Sequence, residues 1–373
     1  MKKYELFLTC PKGLESVCKS ELNSLNISKS KTSEGGVSFS GTILDIYNIN
    51  ICSRTGMNLL VKMIDFKFKS TADFYKAIYK YDWNTFIDPK MLFSIDNVVI
   101  NESPAFDNSQ FINMKAKDAI CDKIKKIRGR RPDIDKKNPQ INIKIVINGD
   151  ICTIYANSSG KALYVRGYKN NHHAASINEA LASSLIFLSN WNTSDKLLDP
   201  MCGSGTICLE AAMIKRKIPS GLIRSFSFQN WINYDHDLYL SMISNLIKNI
   251  DEDVKNIVFG SDIDAESIEG AKTTSQSFKF NLGINFKIKN ITNLETSNNC
   301  HIITNPPYQV RIGDENTIKT IHRGFRKILS SGCSIHLIYP IESDFIENNY
   351  DFKKLATLYN GPIKCGFYKI NNA

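Results

Sequence analysis

Apolar and polar positions in the first part of the chain recur with the periods of short strands and amphipathic helices. Residues 4–9 predict a strand, residues 14–25 predict a helix with one leucine-rich face, and residues 37–40 alternate apolar and polar as a second strand does. We therefore predict a small α+β unit over residues 1–50.

A second α+β unit is predicted over residues 51–157. Its strands lie near residues 59–68 and 141–147, and a helix is predicted over residues 115–128. On that helix the apolar positions recur at helical spacing and should face inward, namely Ala116, Ala119, Ile120, Ile124 and Ile127.

The pattern changes after a polar stretch rich in Asn and His. Residues 158–185 are predicted to be a linker, with a helix starting at residue 177, and residues 186–373 are predicted to be one domain. In that domain strands alternate with helices, which favours a doubly wound, mostly parallel α/β sheet. Ligands in such sheets bind at the carboxyl ends of the strands. The predicted strands are 196–198, 256–260, 285–289, 301–304 and 334–339, and the predicted helices are 207–217, 265–277 and 317–329.

Composition narrows the class of protein. The chain has 373 residues, 42% of them hydrophobic, and no apolar run approaches the ~18 residues of a membrane helix. Its 10 cysteines include no Cys-x-x-Cys pair and no zinc-type spacing with histidine. This excludes a disulfide scaffold and a zinc ribbon, and we expect a cytoplasmic protein without a metal or a membrane partner.

The charge is divided unevenly. The formal net charge is +10; residues 1–170 contain 27 Lys and Arg against 17 Asp and Glu, whereas residues 171–373 contain 20 of each. A basic N-terminal half joined to a neutral C-terminal half favours binding of a polyanion such as RNA, although a general richness in lysine is the alternative.

Three loops at the predicted carboxyl ends carry candidate chemistry. Residues 198–206 read LDPMCGSGT between a strand and a helix, where glycines allow close approach of a ligand and the helix N-terminus favours a carboxylate. The sequence lacks the Gly-Lys-Ser/Thr of a P-loop and the third glycine of a dinucleotide fingerprint. A plain tight turn is the alternative.

The other two loops are GSDID at residues 260–264 and NPPY at residues 305–308. Asp262 can accept hydrogen bonds from ribose hydroxyls, whereas Asp264 can simply cap the next helix. In NPPY, the Asn305 side-chain oxygen and the Pro306 carbonyl can accept both protons of an exocyclic amine, and Tyr308 can stack on a base.

Together these motifs resemble the class I S-adenosylmethionine (SAM)-dependent amino-methyltransferases. The resemblance narrows to the THUMP-domain RNA guanine-N2-methyltransferases, such as the N-terminal half of RlmL and TrmN. The upstream motifs that carry it are KDAI at 117–120, RRP at 130–132 and RGY at 166–168, with LYNGPI at 358–363 as the closing segment. The fold that this implies is a ferredoxin-like unit, a THUMP domain at 51–157 and a Rossmann-like methyltransferase domain.

The resemblance also implies site residues. The catalytic residues would be Asn305, Pro306, Pro307 and Tyr308. The SAM-binding residues would be Asp199, Cys202, Gly203, Ser204, Gly205, Thr206, Asp262, Ile263, Asn178, Glu179 and Asn290, the last standing where the family has an adenine-binding Asp. The RNA contacts would be Lys115, Lys117, Lys123, Lys125, Lys126, Arg128, Arg130, Arg131 and Arg166.

The predicted activity is formation of N2-methylguanosine in 23S ribosomal RNA. The alternatives are a tRNA guanine-N2 enzyme, an adenine-N6 methyltransferase, which uses the same three loops, and an RNA-binding factor without catalysis. The sequence names neither the target nucleotide nor the oligomeric state.

Overall fold

The computed structural model describes residues 2–103, 105–106, 108–168, 177–252, 255, 257–296, 300–308, 315–343, 345–346 and 348–371. The helices are α1 (Glu15–Ser24), α2 (Ile43–Cys52), α3 (Thr71–Lys80), α4 (Ser109–Arg128), α5 (Glu179–Leu188), α6 (Thr206–Lys215), α7 (His236–Lys248), α8 (Ala265–Gln276) and α9 (Glu315–Ser330). The strands are β1 (Tyr4–Thr9), β2 (Ser30–Ser33), β3 (Gly36–Gly41), β4 (Asn58–Lys67), β5 (Leu92–Asn101), β6 (Asp133–Ile134), β7 (Ile141–Asn148), β8 (Ile151–Asn157), β9 (Lys196–Asp199), β10 (Val258–Asp262), β11 (Ile284–Ile288), β12 (Cys300–Thr304), β13 (Ser334–Pro340), β14 (Asp351–Asn360) and β15 (Ile363–Asn371).

The two N-terminal units share one sheet of eight strands, in the order β2-β3-β1-β4-β8-β7-β5-β6. Strand β4 joins them, because it pairs antiparallel with β1 on one side and with β8 on the other. The apolar faces of α2, α3 and α4 pack into one continuous core with this sheet.

Helix α4 is longer than predicted at its N-terminal end. It is capped there by the Asn108 side chain, and it ends at Gly129, whose φ of 75° is left-handed. The prediction that Ile127 faces inward is wrong, since its side chain is 51% exposed in the last turn, past the last buried position Ile124.

The C-terminal sheet has the order β11-β10-β9-β12-β13-β15-β14. Neighbouring strands from β11 to β13 pair in parallel, and the β14–β15 hairpin adds to β13 in antiparallel orientation. This is the predicted doubly wound, mostly parallel α/β sheet. The carboxyl ends of β9, β10 and β12 lie side by side at the centre of the sheet.

The segment between α6 and β10 packs on the N-terminal half. Phe228 stacks on Tyr47 of α2 with ring centroids 4.6 Å apart, and Trp231 is buried in the same core. Helix α7 lies against this core through half-buried residues such as Tyr239. The insertion thus forms part of the junction between the two halves.

A buried ion cluster completes the junction. Glu210 on α6 is fully buried and accepts hydrogen bonds from the Arg166 guanidinium at 3.4 Å, while Arg54 lies 3.8 Å away. Although burial alone would raise the pKa of Glu210, Arg166 and Arg54 lower it. Arg166 also donates to the carbonyl of Arg54 at 2.6 Å. The prediction that Arg166 contacts RNA is therefore wrong: its side chain is 1% exposed and holds the two halves together.

Candidate cofactor and substrate site

A cavity of about 1290 Å³ opens at the carboxyl ends of the central strands. Its walls come from the loops after β9, β10 and β12, the N-terminal turns of α9 and the tip of the β14–β15 hairpin. Three of the predicted motifs, separated by up to about a hundred residues in the chain, are thus brought together around one space.

The loop after β9 runs close beneath the cavity floor because of its glycines. Gly203 and Gly205 have φ values of 49° and 76°, and a Cβ on Gly205 would lie 2.8 Å from the Phe286 ring. Ser204 and Thr206 line the cavity, and their hydroxyls lie 3.5 Å apart. Gly205 itself is buried as the N-cap residue of α6 and does not line the cavity, so the helix N-terminus, which favours an anionic group, meets the cavity at Ser204 and Thr206.

Two other residues of this loop are buried. Cys202 is 8% exposed, and burial raises the pKa of its thiol, so it packs as a neutral side chain. Asp199 is 2% exposed and accepts hydrogen bonds from the Thr304 hydroxyl at 2.7 Å and the Met201 N–H at 3.2 Å. Burial raises the pKa of Asp199 to about 7 despite these donors.

Asp262 ends β10 and faces the glycine loop. One of its oxygens accepts the Gly203 N–H at 2.8 Å and the other accepts the Asp264 N–H at 3.0 Å. Each carboxylate oxygen keeps a second acceptor position, which is the requirement for binding two ribose hydroxyls. Ile263 beside it is 70% exposed on the cavity wall. Asp264 caps α8, which is the alternative given for it in the sequence analysis.

Asn290 lines the cavity, but its side chain is oriented by its own loop. Its oxygen accepts both the N–H and the hydroxyl of Thr292, at 3.0 and 2.9 Å. Its NH₂ group therefore remains to donate, which suits a ring nitrogen of adenine and not the adenine amine. An Asp at this position would offer no such donor.

The two candidate cofactor-binding residues at the start of α5 lie in different environments. Asn178 caps the helix by accepting the Leu181 N–H at 2.8 Å, and it also lines the cavity. Glu179 is 3% exposed and is not part of the cavity wall. The prediction that Glu179 contacts the cofactor is therefore not supported by the geometry.

The NPPY loop leaves β12 directly into the cavity, and all four of its residues line it. The Asn305 side-chain oxygen is buried and has no hydrogen-bond partner within the described part of the chain. A buried acceptor without a donor costs about 1–3 kcal/mol, so this position is suited to a ligand that donates.

Tyr308 closes this loop against the body of the domain. Its hydroxyl accepts a hydrogen bond from the Asn360 side chain at 2.5 Å, and its ring lies edge-on to Tyr339 with centroids 5.7 Å apart. Burial raises the pKa of Tyr308, so the hydroxyl is neutral.

Several cavity residues were not predicted from the sequence. They are Asn360 to Ile363 at the hairpin tip, and Asn316, Thr317 and Thr320 in the first turns of α9. Thr304, which donates to Asp199, is buried behind the cavity wall and was not predicted either. The dipeptide Asn360-Gly361 is a hairpin-turn signal that could have placed the tip beside the other loops. No comparable signal marks the turns of α9.

The basic residues of the N-terminal half cluster on and after α4, but their environments differ. Lys115 and Lys123 lie over the rings of Phe111 and Tyr79. Lys117, Arg130 and Arg131 pair with neighbouring aspartates. Of the nine predicted RNA contacts, the three that are exposed and have no ion pair among the described residues are Lys125, Lys126 and Arg128, in the last turn of α4.

Two negative findings hold for the described residues. None of their His, Cys, Asp and Glu side chains group in threes to form a possible metal site. None of their helices combines the length and the apolarity needed to span a membrane.

Comparison with known proteins matches each part of the chain. Residues 5–57 match the RlmL ferredoxin-like domain, residues 68–157 match the THUMP domain, and residues 166–358 match the RMKL-like methyltransferase domain. The candidate RNA methyltransferase slr0064 of Synechocystis sp. is 31% identical over 87% of this chain and 84% of its own length. The chain belongs to the RlmK/L-type RNA methyltransferase family.

Other relatives agree with this placement. Two ribosomal RNA large subunit methyltransferases K/L are each 30% identical to this chain, one from Psychromonas ingrahamii over 96% of it and one from Shewanella amazonensis over 98% of it. The chain spans only about half of the length of these two relatives, 49% and 52%. The crystal structure of SMU.472, a candidate methyltransferase complexed with SAH, has a TM-score of 0.88 and 26% identity, and covers 100% of this chain and 99% of its own. The chain is accordingly a SAM-dependent RNA methyltransferase with a THUMP domain.

Proposed function

We propose that this enzyme forms N2-methylguanosine, and that its substrate is 23S ribosomal RNA. The choice of an exocyclic amine rests on one observation: the buried side-chain oxygen of Asn305 at the cavity wall has no hydrogen-bond partner among the described residues. The 30% identity to two large-subunit K/L enzymes, of which the chain spans half, supports ribosomal RNA over tRNA.

The cavity fits SAM and a base together. We assign the methionine part to Asp199, Gly203 and the N-terminus of α6, and the ribose to Asp262, with Ile263 and Asn290 against the adenine. When bound, SAM supplies an electrophilic methyl group on a sulfonium and leaves as a neutral thioether.

The protein's contribution is then directed at the nucleophile. The lone pair of the guanine amine is delocalised into the ring, so the nitrogen attacks poorly unless its protons are held. The Asn305 oxygen and the Pro306 carbonyl accept hydrogen bonds from the two amine N–H groups, which turns the lone pair toward the methyl group. They also stabilise the positive charge that develops on nitrogen, and the methylated nitrogen then becomes neutral by releasing one of its two protons to water.

The Tyr308 ring stacks on the target base after the base has left the stacked RNA, since the ring lines the same cavity as Asn305. The two prolines between these residues fix the backbone, so the acceptor and the stacking surface keep a constant separation. Positioning, and not acid–base chemistry by a titrating side chain, is therefore the main catalytic effect.

The proposal is tested by methylation of separated 23S, 16S and tRNA fractions from cells that lack this enzyme. Nucleoside mass spectrometry then identifies the product, and the Asn305→Ala variant serves as the matched control. N2-methylguanosine in 23S RNA supports the proposal. The same product in tRNA overturns the partner, N6-methyladenosine overturns the guanine assignment, and SAM binding without transfer to any fraction overturns catalysis.

A further inference from the structure

The tip of the β14–β15 hairpin is part of the cavity wall, although it lies about 50 residues after the NPPY loop. Asn360 pairs with Ile363 across a two-residue turn, and Gly361 in that turn has a φ of 60°. The four tip residues all line the cavity. A short turn of this kind holds its end residues rigidly, because the ladder fixes both of its arms.

The tip reaches the NPPY loop through the hydroxyl of Tyr308. The Asn360 NH₂ group donates to this hydroxyl at 2.5 Å. Tyr339 contacts the ring edge from β13. The tyrosine is thus held at its far end by the hairpin and along its ring by the sheet.

This arrangement fixes the direction of a ring that would otherwise rotate about its side-chain bonds. A tyrosine ring exposed to a cavity samples several rotamers, and a hydrogen bond at the hydroxyl selects the one that points at its donor. Misplacement of a reacting group by about 1 Å can cost 10²-fold in rate. If the Tyr308 ring orients the base, the rate of methyl transfer therefore depends on the hydrogen bond to its hydroxyl.

We propose that Asn360 is a positioning residue for methyl transfer, which acts by holding the Tyr308 ring against the target base. This rests on the proposed role of Tyr308 in the RNA-methylating site. It assigns to the hairpin tip a function in turnover beyond that of closing the sheet.

The test is a double-mutant cycle with Asn360→Ala and Tyr308→Phe. Each single variant should lower kcat by about 10- to 100-fold while leaving the dissociation constant of SAM unchanged in calorimetry. The double variant should be no slower than the slower single variant, because both remove the same hydrogen bond. The Asn349→Ala variant is the matched control, since this exposed asparagine also donates to an oxygen, the Phe345 carbonyl at 2.8 Å, away from the cavity.

Rates are scored on whichever methylated nucleoside the unmodified enzyme forms. A product other than N2-methylguanosine would overturn the guanine assignment while leaving the cycle valid. Losses that multiply in the double variant, or an Asn360→Ala enzyme as fast as the Asn349→Ala control, would overturn the role of Asn360.

Discussion

The Thr304 hydroxyl donates a hydrogen bond to the Asp199 carboxylate at 2.7 Å, and this bond joins the carboxyl ends of two adjacent parallel strands. Asp199 opens the glycine-rich loop, and Thr304 immediately precedes Asn305. The loop proposed to bind the cofactor and the loop proposed to bind the base therefore share one buried polar contact. In the proposed site, this contact couples the position of the methyl donor to that of Asn305.

The charge of Asp199 should make SAM binding depend on pH. Burial raises the pKa of Asp199 to about 7, so the carboxyl is neutral below that value and anionic above it. SAM carries positive charge on its methionine part, and its affinity should rise from about pH 6 to about pH 8. Calorimetry should show weaker, pH-independent binding for Asp199→Asn, and the unchanged pH dependence for Asp237→Asn on α7. A flat profile in the unmodified enzyme would contradict the assignment.

Replacing Asn305 by Ala should separate catalysis from cofactor binding. The variant loses one acceptor for the amine protons, so kcat should fall about 10²- to 10³-fold, as for other preorganised polar groups in active sites. The dissociation constant of SAM should change less than about twofold, because Asn305 contacts only the amine in the proposed geometry. Equal losses in kcat and in SAM affinity would place Asn305 on the cofactor instead.

The last turn of α4 should contribute to the salt dependence of RNA binding. A triple variant with Gln at Lys125, Lys126 and Arg128 should reduce the slope of log K against log salt by about 2–3, because each phosphate contact contributes about 0.7–0.9. Filter binding at several salt concentrations measures the slope. The control triple replaces Lys248, Lys279 and Lys287 in the neutral half. An equal change in both variants would contradict a specific RNA-binding surface on α4.

Arg166→Met should destabilise the protein without acting on RNA directly. The substitution leaves Glu210 buried with Arg54 as its remaining cation, and breaking a buried ion pair costs about 3–5 kcal/mol. Urea unfolding should report a loss of this size, whereas Arg323→Met on the exposed face of α9 should change stability by less than about 0.5 kcal/mol. A stable Arg166→Met variant that binds RNA poorly would restore the original prediction for this residue.

Arg166 also shows where reasoning from sequence fails. An arginine in a polar segment next to a basic domain has the same local sequence signature whether it faces RNA or a buried carboxylate. Its partner, Glu210, lies 44 residues away on α6, within a nearly continuous run of buried and mostly apolar residues. Nothing in the local sequence distinguishes these two outcomes.

The elements that were predicted well have strong local signals. The five parallel strands of the C-terminal sheet and the loops LDPMCGSGT, GSDID and NPPY combine β-type runs with Gly, Pro and Asp at their ends, and the three loops lie together in the structure. The antiparallel β14–β15 hairpin was not predicted. Helix α2 gave no such signal, because it is apolar on most of its surface and its period is obscured. The α9 turns that line the cavity were placed there by the sheet topology alone.

The buried pairing of Arg166 with Glu210 has a consequence for how a target is chosen. Two halves locked by an internal ion cluster do not hinge freely, so the span from the end of α4 to the cavity is set by the fold. An RNA anchored at α4 can then present for methylation only a nucleotide that lies this one distance from the anchor. In such an enzyme the fixed distance between the end of α4 and the cavity contributes to target selection, which other nucleic-acid enzymes achieve by recognising bases.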